Sequence, residues 1–198
     1  MKKVFVVMAT IALLCMDMNV QAAPVQWSGN GHWYDAISFG SNWRTQHPNW
    51  IQSKSMAESS YYQGIQGHLA TITSQEENDF ITSAFPESWQ GEYGYFLGGY
   101  QDMADAYYSE NAGGWKWVTG EPWSEFVNWR SGEPCGGSSD NALAFHLNGQ
   151  WNDVDHTRTS DTARGYVVEY EAVVPEPSSI IALLGGMISL LGIRRRRA

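Results

Sequence analysis

The stretch GHLATITSQEENDFI, residues 67–81, does most to decide the fold of this chain. Within it, Ser74 is followed three residues later by Glu77, which is the spacing of a capping box, and the apolar positions that begin at Phe80 come next. Pro86 cannot continue a helix, because it lacks a backbone N–H and clashes with the preceding turn. The stretch therefore predicts a helix that begins after Ser74 and ends before Pro86.

The stretches on either side of residues 67–81 predict one more helix and several strands. Residues 50–58 carry apolar side chains at the spacing of an amphipathic helix. Residues 32–38 alternate around Trp33 and Tyr34, which predicts an opening strand. Later strands are predicted at residues 95–97, 142–147 and 166–170. Residues 100–134 are rich in Gly, Trp, Asn and Glu with little periodicity, so we expect a long, structured loop region that carries function.

Length, charge and cysteine content limit what the protein can be. Its 198 residues suffice for one globular domain plus end segments. With 12 Lys and Arg against 21 Asp and Glu, the formal net charge is −9, and no nucleic-acid partner is expected for so acidic a chain. The 10 Trp and 10 Tyr provide a large area for burial. Of the two cysteines, Cys15 lies in the predicted export signal described next, so we expect packing to hold the fold without an internal disulfide.

The first 22 residues have the pattern of a secretory signal peptide. Lys2 and Lys3 precede an uncharged run at residues 4–16, and a small-residue cleavage site ends at Ala22. The alternative is an uncleaved anchor, but 13 helical residues reach only about 20 Å, short of a ~30 Å hydrocarbon layer. We therefore expect an exported protein whose mature chain begins near Ala23.

The last segment, residues 172–198, resembles the PEP-CTERM sorting signal of Gram-negative bacteria. Its Pro-Glu-Pro motif, an uncharged run at residues 180–193 and an arginine cluster occur in the expected order. The motif residues are Pro175, Glu176 and Pro177, and the cluster is Arg194, Arg195, Arg196 and Arg197. Arginines are retained on the cytoplasmic side, so this short transmembrane run would place the preceding domain outside the inner membrane. The resemblance implies processing by an exosortase after a transient stay in the inner membrane, then delivery to the cell surface or extracellular matrix; a plain tail anchor is the alternative.

Residues 23–171, between these signals, resemble a C-type lectin domain. Five motifs carry the resemblance in chain order: GHLATITSQEENDFI at 67–81, WKWVTGEPW at 115–123, FVNWRSGEP at 126–134, WNDV at 151–154 and GYVVEYE at 165–171. The family implies an α+β fold in which two helices flank antiparallel sheets, with a long structured loop that binds calcium and sugar.

The resemblance also implies a site. Calcium prefers six to eight oxygen ligands, and the family's ligand positions correspond here to Glu133, Asp140, Asn152 and Asp153. Of these, Glu133, Asn152 and Asp153 would also bind the hydroxyls of a carbohydrate. Cys135 occupies the position of an Asn ligand, and a thiol is a poor ligand for calcium. The Glu133–Pro134 bond would be cis if it follows the family, although X-Pro bonds are usually trans.

Two functions remain open at this point. The first is an exported carbohydrate-binding protein, calcium-dependent or not, that holds an extracellular polysaccharide or glycan. The second is a calcium-independent structural or adhesive matrix protein on the same fold, which the substitution at Cys135 favours. No nucleophile paired with a base, zinc-protease motif or phosphate loop appears in the sequence, so we do not expect an enzyme. In addition, the WND residues can serve as a turn and core motif, and the tryptophans of the loop region are expected in the core more often than on a sugar-binding surface.

Overall fold

The computed structural model describes residues 23–123 and 126–171. The predicted signal peptide, residues 1–22, and the predicted sorting segment, residues 172–198, lie outside the described residues. Within the described part of the chain, no helix combines the length and apolar character that crossing a membrane requires.

Both predicted helices are present. Helix α1 spans Trp50–Glu58 and helix α2 spans Gln75–Ala84. Helix α1 begins with a complete capping box that was not predicted. Asn49 Oδ1 accepts from Gln52 N at 2.9 Å, and Gln52 Oε1 accepts from Asn49 N at 3.0 Å.

The capping box predicted for α2 forms only in part, and that prediction was wrong in its second half. Ser74 Oγ accepts from Glu77 N at 3.2 Å, as predicted. The Glu77 side chain, however, accepts from Thr73 N at 2.8 Å rather than from the backbone of Ser74. The physical reason is burial: Glu77 is only 2% exposed, and its second carboxylate oxygen accepts a hydrogen bond from the hydroxyl of Tyr34 in the core.

Nine strands accompany the helices in the described residues. Their bounds are β1 Val25–Gln26, β2 Trp33–Ser38, β3 Tyr61–Tyr62, β4 Ile65–Leu69, β5 Tyr95–Gln101, β6 Trp115–Trp117, β7 Asp140–Phe145, β8 Trp151–Asp155 and β9 Gly165–Tyr170. The four predicted strands correspond to β2, β5, β7 and β9, with bounds shifted by one to four residues. The prediction of a strand at His146 and Leu147 was wrong, because β7 ends at Phe145 and the chain turns into a short 3-10 helix, Leu147–Gly149.

The strands form a mostly antiparallel sheet in the order β1-β2-β9-β5-β7-β8, with β6 on β5 and β4 on β9. Among these nine strands, only the β5–β9 pair is parallel. The first and last long strands, β2 and β9, pair along their full length from Trp33↔Tyr170 to Ser38↔Gly165. At the opposite side of the sheet, β8 pairs with β7, and these two strands carry the predicted ligand residues Asp140, Asn152 and Asp153. The observed α+β architecture confirms the predicted fold class.

The core is dominated by aromatic rings. Trp151 is fully buried, and its indole N–H donates to Asn78 Oδ1 at 2.9 Å, which joins β8 to α2. Trp117 is 1% exposed and its ring meets that of Trp151 edge to face at 5.9 Å. Trp115 is buried as well, and Trp123 and Trp129 pack against the same cluster. The prediction that these tryptophans belong mainly to the core is confirmed.

Candidate functional site

The site is assembled where the end of the long loop region lies beside β8. Backbone hydrogen bonds hold the two together: Trp151 N donates to Asn128 O at 2.7 Å and Arg130 N donates to Trp151 O at 2.9 Å. Glu133 N then donates to Arg130 O at 2.9 Å and closes a turn. Because the loop is fixed to β8 in this way, its next residues lie next to the side chains that follow Trp151.

Three potential ligand atoms converge at this junction. One atom each from Glu133, Cys135 and Asp153 lies within 4.8 Å of the others. Cys135 N donates to Asp153 Oδ1 at 3.0 Å, and this contact spans the loop and the strand. The Glu133–Pro134 bond is cis, the form that the family resemblance implied. Loop and strand thus bring two predicted ligands together, with a thiol as their third member.

The electrostatics of this group show crowded negative charge. Asp153 is 4% exposed, and burial, with a further contribution from the nearby Glu133 carboxylate, raises its pKa well above the usual range of an aspartate. The hydrogen bond from Cys135 N opposes this rise. The neighbouring Glu133 carboxylate is also the main cause that raises the pKa of Cys135 to about 11, so this thiol stays protonated near neutral pH. A cation between the two carboxylates would relieve their repulsion.

Two oxygen atoms at the site lack partners. Among the described residues, Glu133 Oε2 and Asn152 Oδ1 are buried and accept no hydrogen bond. A buried acceptor without a donor costs free energy, unless water or an ion satisfies it. Carboxylate and amide oxygens of this kind are the ligands that calcium prefers. The donor set of Glu133, Asn152 and Asp153 therefore fits the metal that the family resemblance implied, although Cys135 contributes a thiol and not an oxygen.

Asp140 takes a different place. It does not belong to the group within 4.8 Å, but lines an adjoining depression of about 180 Å³ together with Asn152 and Asp153. It begins β7 and pairs with Asp155 of β8, next to an irregularity in the register. Burial is the main cause that raises the pKa of its carboxyl group, while the Ser139 hydroxyl opposes this. Asp140 is thus a neighbour of the convergent group and not a member of it.

Sequence reasoning missed two residues that shape the site. Arg130 NH2 lies 3.4 Å from Glu133 Oε1, so an arginine partly balances a carboxylate whose side chain is only 7% exposed. Tyr93, which precedes β5, lines the same depression as Asp140. Arg130 could have been predicted, because it lies three residues before Glu133 within a turn. Tyr93 lies 47 residues from Asp140 along the chain, and nothing local marks it.

Comparisons with known proteins agree with this fold. The model of the lectin C-type domain matches residues 52–162. Halomucin of Haloquadratum walsbyi is 33% identical over 71% of this chain, and C-type lectin domain family 4 member A of Rattus norvegicus is 31% identical over 72%. The chain spans 1% of the length of the first relative and 53% of that of the second.

A solved structure shows the same fold. The carbohydrate-recognition domain of cow CD23, crystallised in the presence of a GlcNAc2Man3 oligosaccharide, superposes with a TM-score of 0.56. That superposition covers 77% of this chain and 95% of the cow domain, at 22% sequence identity. Since the family model covers more than half of the sequence and the architecture agrees with it, this chain belongs to the C-type lectin domain family.

Proposed function

We propose that this protein binds carbohydrate at the junction of the loop region and β8, with calcium held by Glu133, Asn152 and Asp153. The observation that carries the proposal is the convergence of the Glu133 and Asp153 carboxylates, in which Glu133 Oε2 is buried without a hydrogen-bond partner. Asn152, whose buried Oδ1 also lacks a partner, lines the adjoining depression together with Asp153. Calcium bound here would supply a Lewis-acidic centre for sugar hydroxyls. The carboxylate and amide groups of the chain would orient those hydroxyls by accepting from them and donating to them. No bond is broken, so the protein acts as a binding module and not as an enzyme.

Family membership and the named relatives support this function. Rat C-type lectin domain family 4 member A carries the family name, and the cow CD23 domain is described as a carbohydrate-recognition domain. The acidic lining of the depression favours neutral sugars over uronic acids, because it contains Asp140, Asp155 and Asp161 against Arg158. We therefore infer a neutral extracellular polysaccharide or glycan as the partner.

A calcium titration of residues 23–171 tests the metal. Losing one ligand of an extracellular site places the expected dissociation constant at roughly 10⁻³–10⁻² M. We expect about 10 mM calcium to raise the melting temperature, since a ligand that binds only the folded state stabilises it. Asp153→Ala is expected to abolish this rise. The matched control, Glu76→Gln, removes one exposed carboxylate on α2 and should leave the rise intact.

The absence of any calcium-induced shift in the wild-type protein would contradict calcium dependence. A glycan array, run with and without a chelator, then identifies the sugar class. Binding that chelation abolishes would support the metal-dependent mode, whereas binding that survives chelation would show that this chain's own side chains suffice.

The alternative function, a calcium-independent structural or adhesive matrix protein, is favoured by one observation. Cys135 is exposed and stands at a ligand position, so the oxygen that an Asn would provide is missing. An exposed thiol outside the cell can also join two chains. Failure of both the calcium titration and the glycan array would leave this function as the better account.

We further propose that the protein is exported and sorted to the cell surface or extracellular matrix through its two end segments. The support is the order of Pro175, Glu176 and Pro177, the apolar run and the arginine cluster. Deleting residues 194–197 is expected to block release and leave the protein in the inner membrane, as fractionation and immunoblotting would show. Unchanged processing of the deletion variant would count against handling by an exosortase.

A further inference from the structure

A pair of aromatic rings lies next to the acidic depression, which Tyr93 lines together with Asp153. Trp43, in the loop after β2, and Tyr93, before β5, have ring centroids 5.5 Å apart. The guanidinium of Arg44 lies 4.4 Å from the Trp43 ring centroid and 5.9 Å from that of Tyr93. Both rings are half-buried, so each keeps an accessible part. The three side chains line a depression of about 160 Å³.

Hydrogen bonds from Arg164 hold the backbone at one side of this depression. Arg164 Nε donates to Tyr93 O at 2.6 Å, and Arg164 NH2 donates to Glu87 O at 2.9 Å. Arg164 N also donates to Gly94 O at 2.9 Å, which ties the start of β9 to the same turn. A surface that is held in one conformation loses little entropy when a ligand binds. The Tyr93 side of the aromatic depression is therefore held in place before a ligand binds.

This aromatic depression is continuous with the acidic depression at the candidate site. Tyr93 lines both of them. A second link is the ion pair between Arg44 NH1 and Asp161 Oδ1 at 3.2 Å, since Arg44 lines the first depression and Asp161 the second. Each depression alone is smaller than the ~300 Å³ at which typical ligand pockets begin. A ligand that lies across both would use them together.

The chemistry of the aromatic depression suits a sugar ring. The Arg44 guanidinium lies over one face of the Trp43 ring and offers N–H donors to hydroxyl groups. The apolar C–H face of a pyranose would lie on the part of the two rings that the guanidinium leaves uncovered. The acidic neighbour disfavours a negatively charged sugar. A neutral chain of sugar units meets both requirements, because one unit can occupy the acidic depression and a following unit the aromatic one.

We propose that Trp43, Arg44 and Tyr93 form a second sugar subsite, which makes this protein selective for neutral oligosaccharides over single sugars. The proposal rests on the proposed function, since the second subsite extends the site of Glu133, Asn152 and Asp153. It names a substrate class that the convergent carboxylates alone do not specify. The subsite makes affinity depend on the length of the glycan.

Calorimetric titration of residues 23–171 tests this proposal with mannose, galactose and N-acetylglucosamine and with a linear trisaccharide of each. For the sugar that binds, we expect the trisaccharide to bind about tenfold more tightly than the monosaccharide. Trp43→Ala should reduce trisaccharide affinity to about the monosaccharide level. Trp43→Phe keeps a ring and should retain most of the gain. Tyr107→Ala removes an aromatic ring that is 86% exposed elsewhere and should change neither affinity.

The outcomes separate the two proposals. If no monosaccharide or trisaccharide binds, or if Asp153→Ala leaves monosaccharide binding unchanged, the proposed function fails and the subsite proposal fails with it. If monosaccharide binding requires Asp153 but the trisaccharide binds no more tightly, the second subsite alone is wrong. The second subsite is also wrong if Trp43→Ala and Tyr107→Ala have equal effects on trisaccharide affinity. Melting curves of each variant show whether it is folded.

Discussion

Cys135 is the residue at which the chemistry of the site departs most from what calcium prefers. Its thiol lies among carboxylates, which raise its pKa to about 11, so near neutral pH it offers calcium a protonated sulfur. Its backbone has a separate role, because Cys135 N donates to Asp153 Oδ1. A substitution can thus change the side-chain ligand while keeping the backbone contact.

Cys135→Asn is expected to strengthen calcium binding about tenfold, since one added oxygen ligand worth ~1.4 kcal/mol corresponds to that factor. Titration of the wild-type and variant proteins, followed by melting temperature, measures the change. Cys135→Ala removes the thiol without adding an oxygen and should show no gain. An equal gain in both variants would indicate that loss of the thiol, and not the amide oxygen, is responsible.

His32 supplies a second prediction at this scale. His32 Nδ1 lies 2.6 Å from Glu169 Oε1, and hydrogen bonding to that buried carboxylate is the main cause that raises the pKa of His32, although burial opposes it. A raised pKa means that the ionised pair stabilises the fold below the ordinary histidine pKa of about 6.5. This contribution is lost as the pH rises through the higher folded-state value.

We therefore expect His32→Gln to lower the free energy of unfolding by roughly 1–2 kcal/mol at about pH 5 and by less at about pH 9. Urea denaturation at the two pH values measures the difference. His156→Gln, at a histidine elsewhere on the domain, is the control. A loss that is the same at both pH values would show that the ionised pair does not contribute.

At the scale of elements, the two helices show how far local pattern reaches. The bounds of α1 were predicted from its apolar spacing, but its Asn49–Gln52 capping box was missed. The Ser74–Glu77 pattern of α2 was recognised, yet half of the box does not form, because Glu77 is buried against Tyr34 and Thr73. The local sequence pattern therefore predicts where a helix begins. Packing in the core determines which hydrogen bonds the side chains of its first turn make.

Asn49→Ala tests the cap of α1. Losing the side-chain acceptor is expected to cost about 1 kcal/mol and to lower the melting temperature by roughly 2–4 °C. Asn49→Asp keeps an acceptor for Gln52 N but loses the donor that reaches Thr157 O at 3.2 Å, so it should cost less. If both variants lose the same stability, the contact with Thr157 and not the cap is what Asn49 contributes.

At the scale of the whole molecule, packed aromatic rings stabilise a domain that contains no internal disulfide. The indoles of Trp117 and Trp151 are buried against each other, and β2 and β9 close the domain through backbone pairing between its two ends. Within residues 23–171 the sequence contains one cysteine, so no disulfide can form inside this domain. Its stability therefore rests on non-covalent interactions such as burial and hydrogen bonding.

A reducing agent is therefore expected to leave the melting temperature of residues 23–171 unchanged, as differential scanning calorimetry would show. Cys135→Ser, which removes the single thiol of this range, should give the same result. A fall of roughly 2–4 °C on reduction, equivalent to about 1 kcal/mol for a chain of this size, would mean that a disulfide between two copies stabilises the protein. A non-reducing gel detects such a dimer directly.

Much of the fold could be predicted because it depends on local signals. Apolar spacing and capping residues specify both helices, and runs of β-formers specify the four longest of the observed strands in outline. Three strands are too short to show a hydrophobic period, namely the two-residue β1 and β3 and the three-residue β6. They are defined only by their hydrogen bonds to the neighbouring strands. For the site, motif matching identified Glu133, Asn152 and Asp153 as candidates, which remains a prediction.

The amino-acid sequence by itself determined the helices, the long strands, the missing internal disulfide and the family resemblance, since these depend on residue type and spacing along the chain. Only the tertiary structure decided that Cys135 joins Glu133 and Asp153, and that Asp140 lines an adjoining depression. It also decided that Tyr93 lines this depression and a second one that Trp43 shares. The physical reason is that these relations are distances between separate segments. Such distances are set by how the loop region packs against β8 and how β9 orders the turn before β5.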